Sequence, residues 1–368
     1  MANCYVCKKV IDDTNRSKEH ILLNSIGGML KSSELLCKTC NSKMGHGPDG
    51  ELAHQFEFLS AYLQVKRDKG AIPIIKGGHT QDGTKYDLIN GTQPRMAQPK
   101  FEMKFTEKGA EYQLVARDMA EMKAMLKGVK KKHSFFDVDN ALLQAKTVKH
   151  RINEAITYHQ TFGGKLAFRS IAKTAVNFYI LHKQDAAHIE HLIEYLLGEK
   201  DLDIVKHYHP LKSIYQKEAN EVIHLIHLVG EKHSKQLYCY IELFSTHSYI
   251  VVLSNNYTGK NIHTTYAYNL MTNQEVKKEV ALKLSPTEVA NMKTEFSDFQ
   301  LVKGKFDRLM RIATKIHTDR EIDNITRGAV KEIFEVKFGH EKVVTKQMIK
   351  EFSELVAHEF VKFIYRLD

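Results

Sequence analysis

The chain has 368 residues, of which 27% are charged and 43% hydrophobic, a composition that excludes a disordered chain and predicts two or three globular domains. No apolar run approaches the roughly 18–20 residues of a membrane span, and the N-terminus lacks the apolar core of a secretory signal, so we expect a cytoplasmic protein without membrane contact. The net charge of +10 comes mainly from residues 61–200, which hold 23 Lys and Arg against 15 Asp and Glu, and this balance favours a polyanionic partner such as nucleic acid.

Four of the five cysteines form two Cys-x2-Cys pairs near the N-terminus, Cys4 with Cys7 and Cys37 with Cys40. In a chain without a secretory signal, this spacing is typical of a structural zinc ion held by four thiolates rather than of disulfides. A short segment builds little apolar core, so the ion would supply much of its folding free energy. The fifth cysteine, Cys239, lies in a strand-like run and is predicted to be an ordinary buried thiol.

Between the two cysteine pairs, the sequence predicts a strand, a turn and a second strand, followed by a helix. Glu19 and His20 open the apolar run 21–23, and Gly27 and Gly28 mark the turn. Residues 33–36 then lead into the second cysteine pair as the second strand. Asn41 follows Cys40 directly and begins the predicted helix.

Taken in order, these residues resemble the HNH (ββα-metal) endonucleases, in the subgroup whose motif reads Cys-x2-Cys, Glu-His, Gly-Gly, Cys-x2-Cys-Asn. The resemblance lies within the first 68 residues. It implies an N-terminal ββα-metal domain with a structural zinc ion, in a chain of α+β class that hydrolyses phosphodiester bonds in DNA.

The resemblance also implies a role for each motif residue. His20 corresponds to the general base that takes a proton from the attacking water, and imidazole suits this task because its pKa lies near neutrality. Glu19 and Asn41 correspond to the protein ligands of the catalytic ion, and their hard oxygen donors suit Mg²⁺, for which Mn²⁺ could substitute. The ion would bind a phosphate oxygen and stabilise the leaving oxygen.

One position departs from the motif, because the middle Asn of the family is replaced by Ser32, with Ser33 beside it. A serine hydroxyl can cap a loop, although less fully than an amide, so both serines are expected to support the loop. Asp49 is predicted to have a supporting or structural role. Lys38 and Lys43, which flank Asn41, are candidate phosphate contacts.

Each motif residue also has an ordinary interpretation. His20 could be a half-buried histidine in a zinc ribbon that only binds or scaffolds, Glu19 a solvated charge, and Asn41 a helix N-cap. Their joint occurrence between the cysteine pairs favours the catalytic interpretation. The pairs His188/His191 and His224/His227 have the spacing of metal ligands but no third ligand, so they are predicted to be surface or buried structural residues.

After this segment the chain predicts strands and then helices. Strands are expected over 71–75, 85–89, 100–105 and 111–115, separated by turn sequences, and helices over 119–132, 165–182 and 186–197. The first helix ends in the basic run Lys130, Lys131 and Lys132. Arg169 and Lys173 lie four residues apart on the second and could contact a phosphate, with a solvated helix face as the alternative.

The last part of the chain predicts an antiparallel meander of strands over 221–229, 236–244, 249–253 and 264–270. Residues 285–288 and 318–321 have the sequence of capping boxes, which predicts helices near 286–316, 319–336 and 345–366. Three segments are therefore expected. They are a nuclease domain at 1–68, a basic DNA-binding or connecting region at 69–215, and a recognition, sensor or dimerisation region at 216–368.

The predicted function is a Mg²⁺-dependent DNA endonuclease, with restriction or anti-phage defence as the setting that the resemblance implies. A non-catalytic zinc-ribbon module that binds nucleic acid or a partner, and a homing or mobile-element nuclease, are the alternatives. Phosphate contacts carry little sequence information, so the rest of the chain would recognise DNA, a modified base, a partner protein or an activating ligand. One HNH site cuts one strand, so double-strand cleavage would need two copies, and a homodimer is compatible with this.

Overall fold

The computed structural model describes residues 2–107, 109–148, 152, 154–210, 212–294 and 300–365. The chain divides into two compact units, Met1–Ser297 and Asp298–Asp368. Helices and antiparallel sheets both contribute, which confirms the predicted α+β class. The division into three segments at residues 68 and 215 stays a prediction. Within the described ranges, no helix combines the length and the apolar character that crossing a membrane requires.

The N-terminal segment has the predicted order of strand, turn and strand. Strand β1 (Glu19–His20) pairs antiparallel with β2 (Lys31–Ser32), and a 3-10 helix (Asn24–Ile26) lies between them. Gly27 ends this turn at φ +92°, and a Cβ atom there would lie 2.3 Å from Cγ1 of Val65. Both the backbone conformation and the available space therefore require glycine at this position.

Three short helices follow where the sequence predicted one, namely α1 (Lys38–Gly45), α2 (Pro48–Gln55) and α3 (Glu57–Tyr62). Because α1 begins at Lys38, Asn41 lies inside the helix, and the N-cap interpretation of Asn41 is wrong. Gly47, at φ +92°, precedes Pro48 at the start of α2. A left-handed glycine followed by proline ends one helix and starts the next.

Residues 75–115 contain five strands: β3 (Ile75–His79), β4 (Lys85–Ile89), β5 (Gln93–Met96), β6 (Lys100–Thr106) and β7 (Gly109–Val115). The first three form one antiparallel sheet and the last two form a hairpin. Strand β3 begins where the predicted strand 71–75 ends. The sequence missed β5 because it contains Pro94, which lacks the N–H of a central strand residue.

Three predicted helices of the middle region agree closely with the structure. They are α4 (Met119–Lys132), α6 (Lys165–Leu181) and, over 186–197, a 3-10 helix (Ala186–Leu192) directly followed by a helix (Ile193–Leu197). The sequence missed α5 (Val138–Gln144), and the helix Ile193–Leu197 is α7. Asp118 caps α4, because its side chain accepts the backbone N–H of Glu121.

Six strands form the main sheet: β8 (Val205–His207), β9 (Ile223–Glu231), β10 (Gln236–Leu243), β11 (His247–Ser254), β12 (Ile262–Asn269) and β13 (Gln274–Glu275). Their spatial order is β13-β12-β9-β10-β11-β8, and every pair is antiparallel. The predicted meander is correct for β9, β10 and β11 but wrong for β12. This strand returns to pair with β9, in the order of a Greek key, because β8 takes the place beside β11.

Helix α6 connects the main sheet to the N-terminal segment. It contacts β8, β9, β10 and β11 as well as α2. Strands β9 and β10 are buried along almost their whole length, as expected for a sheet that is covered on both faces. The sheet therefore holds α6 firmly against the residues of the candidate site.

Helix α8 (Pro286–Ala290) begins at the predicted capping box, in which Ser285 and Glu288 exchange both hydrogen bonds. The unit Asp298–Asp368 contains α9 (Gln300–Val330), a π-helix (Lys331–Lys337) and α10 (Lys346–Tyr365). The second predicted capping box, at Thr318, is wrong. Helix α9 runs through it, because neither Gly nor Pro interrupts the sequence nearby.

Candidate metal sites and polar centre

The four N-terminal cysteines come together in space. The sulfur atoms of Cys4, Cys7, Cys37 and Cys40 all lie within 4.8 Å of one another, and the Sγ atoms of Cys7 and Cys37 are 3.7 Å apart. A tetrahedron of zinc–sulfur bonds of about 2.3 Å has edges of about 3.8 Å, so this donor set fits a zinc ion. Cys239 is buried in β10 and takes no part in the group.

Glu19 and Asn41 face one another across the N-terminal segment. The carboxylate of Glu19 projects from β1 and is almost completely buried. Asn41 projects from α1, and its Nδ2 donates a hydrogen bond of 2.8 Å to the hydroxyl of Ser17. This leaves Oδ1 of Asn41 as an acceptor on the same side as the Glu19 carboxylate.

Asp49 on α2 supplies a third oxygen donor to this group. Its Oδ1 accepts a hydrogen bond of 2.7 Å from the hydroxyl of Ser170. A Cβ atom at Gly45 would lie 2.8 Å from Oδ2 of Asp49, so only glycine lets α1 approach this carboxylate closely. We call Glu19, Asn41 and Asp49 together the oxygen centre.

The ammonium group of Lys173, on α6, lies at the point where the oxygen centre converges. Its Nζ is 2.7 Å from Oε1 of Glu19, 2.8 Å from Oδ2 of Asp49 and 3.4 Å from Oδ1 of Asn41. Burial lowers the pKa of Lys173, but the two carboxylates outweigh this effect and raise the pKa above its ordinary value. The lysine is therefore charged.

The sequence predicted that Lys173 contacts a phosphate or lies on a solvated helix face. Instead, Lys173 is only 3% exposed, and its charged partners are the carboxylates of Glu19 and Asp49. The donor chemistry of the oxygen centre, two carboxylates and an amide oxygen, suits Mg²⁺.

Two further residues of α6 complete the centre, and sequence analysis missed both as site residues. Asn177 is fully buried, donates to Oε1 of Glu19 at 3.2 Å, and accepts the hydroxyl of Tyr5 at 2.8 Å. Ser170 holds Asp49, as described above. The signal was present, because Ser170, Lys173 and Asn177 are three and four residues apart and form one polar stripe on a helix whose other buried residues are mostly apolar.

The Tyr5–Asn177 hydrogen bond connects the cluster of four cysteines with the oxygen centre. Tyr5 lies between Cys4 and Cys7, and its backbone N–H donates to the carbonyl of Leu35, two residues before Cys37. Its hydroxyl then reaches Asn177, which holds Glu19. Ordering of the cysteine loops by a zinc ion would therefore also order the partner of Glu19.

His20 has a different set of neighbours from Glu19. Its Nε2 lies 3.6 Å from Oδ2 of Asp68, whose carboxylate also pairs with Lys31 at 2.7 Å. Neighbouring residues of a strand point to opposite faces, and the partners of Glu19 and His20 differ accordingly. None of the hydrogen bonds and ion pairs described for His20 involves the oxygen centre.

The imidazole of His20 is half-buried. Burial and the charge of Lys31 lower the pKa of His20, and Asp68 offsets this only in part, so the ring is neutral at pH 7. The Nε2 atom is buried and faces the Asp68 carboxylate at 3.6 Å. A neutral imidazole with a carboxylate beside one nitrogen can accept a proton at the other.

The supporting serines lie in or beside β2. Ser32 is paired with Glu19 in the strand register, and its hydroxyl accepts the backbone N–H of Glu34. It therefore caps the turn that leads into the second cysteine pair, the role expected of a serine here, whereas the strand predicted over 33–36 is wrong because the second strand is Lys31–Ser32. Ser33 is partly buried in the same turn.

The remaining candidate phosphate contacts lie outside the oxygen centre. Lys38 and Lys43 are exposed on α1, and Lys43 lies 3.9 Å from Glu199. Lys130, Lys131 and Lys132 are exposed at the end of α4. Arg169 pairs with Asp201 at 3.2 Å and is mostly buried. Their contacts with nucleic acid stay predictions.

Residues 4–57 match the model of a family described as HNH endonuclease. The match starts at Cys4, the first cysteine of the cluster, and includes the whole oxygen centre and His20, so the N-terminal segment is an HNH-type domain and the resemblance is confirmed there. It covers about a seventh of the chain and leaves out α6 with Lys173. No curated protein and no solved structure matches the chain.

Proposed function

We propose that the chain is an endonuclease that hydrolyses phosphodiester bonds in DNA, with its active site in the HNH-type domain. The observation that carries the proposal is the convergence of the oxygen centre inside the segment that matches HNH endonucleases. A buried carboxylate (Glu19) beside a partly buried one (Asp49) and an amide oxygen is costly unless the group binds a cation or takes part in chemistry.

In this proposal Glu19 and Asn41 hold Mg²⁺, for which Mn²⁺ could substitute, and the cysteines hold zinc. Bound Mg²⁺ would supply Lewis acidity toward a phosphate oxygen. Asp49 faces the same point and adds a second carboxylate. His20 acts as general base, because its ring is neutral and a neutral imidazole has one nitrogen that can accept a proton.

DNA is the proposed substrate because residues 61–200 carry a strong positive excess, and Lys130, Lys131 and Lys132 are exposed. Restriction or anti-phage defence in the cytoplasm is the proposed setting, and it rests on the resemblance alone. A homodimer, an activating ligand or a partner protein would fit a nicking enzyme whose remaining residues choose the target.

The proposal is tested by incubating the zinc-loaded protein with supercoiled plasmid and Mg²⁺, beside the variant His20→Ala. We expect the wild type to nick the plasmid and the variant to lose about 100-fold or more in rate, as for removal of a general base. His54→Gln is the matched control, because His54 is exposed and paired with Glu57. Equal rates for wild type and His20→Ala would remove His20 from the mechanism.

A non-catalytic zinc module that binds nucleic acid is the second candidate. The specific observation in its favour is that His20 contacts Asp68 whereas Glu19 contacts Lys173, so the proposed base and the proposed metal ligand do not share a partner among the described contacts. Plasmid binding with no nicking at any Mg²⁺ or Mn²⁺ concentration would favour this candidate.

A further inference from the structure

Lys173 is built into the oxygen centre. Its side chain is only 4% exposed, and its three oxygen partners come from β1, α1 and α2. The residues three before and four after it, Ser170 and Asn177, hold the same two carboxylates in place. The ammonium therefore has the surroundings of a bound cation, fixed from several directions.

The charges of this group do not balance. One ammonium faces two carboxylates, so the cluster keeps a net charge of −1 if Lys173, Glu19 and Asp49 are all ionised. A divalent ion in the same place would balance the two carboxylates exactly, provided that the ammonium had left. Once the ammonium of Lys173 is absent, the two neighbouring carboxylates would raise the affinity of the oxygen centre for a divalent ion.

The backbone of α6 gives Lys173 little freedom, but its side chain has more. Ala172, Val176 and Tyr179 are completely buried, so the helix is fixed in the core. Four rotatable bonds separate the ammonium from this backbone, so the ammonium can change position while the helix stays in place. Its displacement costs the ion pairs with Glu19 and Asp49.

We propose that Lys173 occupies the cation position of the oxygen centre, so that a divalent ion binds there only by displacing its ammonium. Lys173 thus sets the affinity for the ion and competes with it. The inference rests on the proposed function only for the identity of the ion, because the competition itself is a matter of binding.

The experiment compares Mn²⁺ binding to zinc-loaded wild type and Lys173→Met, measured from the electron paramagnetic resonance signal of free Mn²⁺. Methionine keeps an unbranched, flexible side chain, one atom shorter than lysine, and removes the charge. We expect Lys173→Met to bind one Mn²⁺ at least tenfold more tightly than the wild type, and we expect the additional change Asp49→Asn to abolish the gain. Lys183→Met is the matched control, since Lys183 follows the same helix but is exposed and pairs with Glu34.

Equal or weaker affinity in Lys173→Met, or a gain that does not depend on Asp49, would overturn the proposal. If Lys173→Met fails to fold, the proposal is tested on the wild type alone, through the reactivity of the Lys173 amine. Lys173 should resist acylation by an amine-reactive ester without Mn²⁺ and become reactive at saturating Mn²⁺, as followed by mass spectrometry. Saturation with Mn²⁺ that leaves Lys173 protected would overturn the proposal equally. Neither measurement uses DNA, so an inactive nuclease with the expected binding would refute only the proposed function.

Discussion

Nζ of Lys173 lies 2.7 Å from Oε1 of Glu19, and both side chains are almost completely buried. Glu19 belongs to the segment that matches HNH endonucleases, whereas Lys173 lies on a helix more than a hundred residues beyond it. The HNH-type domain is therefore completed by a helix of the larger fold. The predictions below examine this helix, the zinc site, the sheet behind them and the basic surface.

Asn177 should be important for stability because it satisfies two buried groups. In Asn177→Leu, Glu19 and the hydroxyl of Tyr5 each lose a hydrogen-bond partner. We expect the free energy of unfolding in urea to fall by about 1–3 kcal/mol. The exposed Asn140→Leu should change it by less than about 0.5 kcal/mol. A value for Asn177→Leu as small as that of the control would contradict the role assigned to this residue.

The cluster of four cysteines predicts about one tightly bound zinc ion per chain. Cys37→Ser removes one of the four sulfur donors, so zinc should be lost and the N-terminal segment should become sensitive to protease. Cys239→Ser is the control and should keep its zinc, because Cys239 lies in the main sheet. Zinc content can be measured by atomic absorption, and full zinc retention in Cys37→Ser would show that the cysteines do not bind the ion together.

His224 should make folding sensitive to acid. Its Nε2 donates to the carbonyl of Ile26 and its Nδ1 accepts the N–H of Phe244, so the fully buried ring is satisfied in its neutral form. Burial lowers its pKa to about 4, against 6.5 in an unperturbed histidine. Between these values the unfolded chain binds a proton that the folded chain does not. Stability is therefore complete above about pH 6.5 and decreases as the pH falls toward 4.

The size of this effect can be isolated with His224→Gln, since an amide can also donate at one end and accept at the other. At pH 5 the histidine should cost the wild type about 2 kcal/mol of stability relative to pH 7.5, and the variant should lack this part of the pH dependence. His233→Gln is the control, because His233 is exposed. The same pH dependence in wild type and His224→Gln, from urea unfolding at each pH, would rule out the assignment.

The basic run at the end of α4 should contribute to DNA affinity. Replacing Lys130, Lys131 and Lys132 with Gln should weaken binding to duplex DNA of any sequence, and the slope of log affinity against log salt should decrease by about 2–3. A control that changes Lys342, Lys346 and Lys350 to Gln removes the same charge elsewhere. Equal losses in both variants, measured by fluorescence anisotropy, would mean that net charge alone matters.

The local features of this chain could be predicted from its sequence. The Cys-x2-Cys spacing predicted the sulfur cluster, the apolar periodicity predicted α6, and Ser285 predicted the start of α8, because each depends on residues close together in the chain. Helix α4 was also found with its exact bounds.

Long-range features could not be predicted in the same way. Periodicity does not encode which neighbour a strand selects, so the return of β12 to β9 was missed. Lys173 looked like a surface lysine because a single cation on a helix carries no information about a carboxylate far away in sequence. The polar stripe of α6 was the available sign, and its significance depended on knowing which segment packs against it.

The most direct test of the account is the nicking rate of Glu19→Gln in Mg²⁺. The substitution keeps the shape of the side chain and removes the charge that a divalent ion requires. The account predicts a loss of about 100-fold or more relative to the wild type, whereas Glu34→Gln, which alters an exposed carboxylate, keeps the wild-type rate. Cleavage by Glu19→Gln at the wild-type rate would contradict the claim that the oxygen centre is the active site.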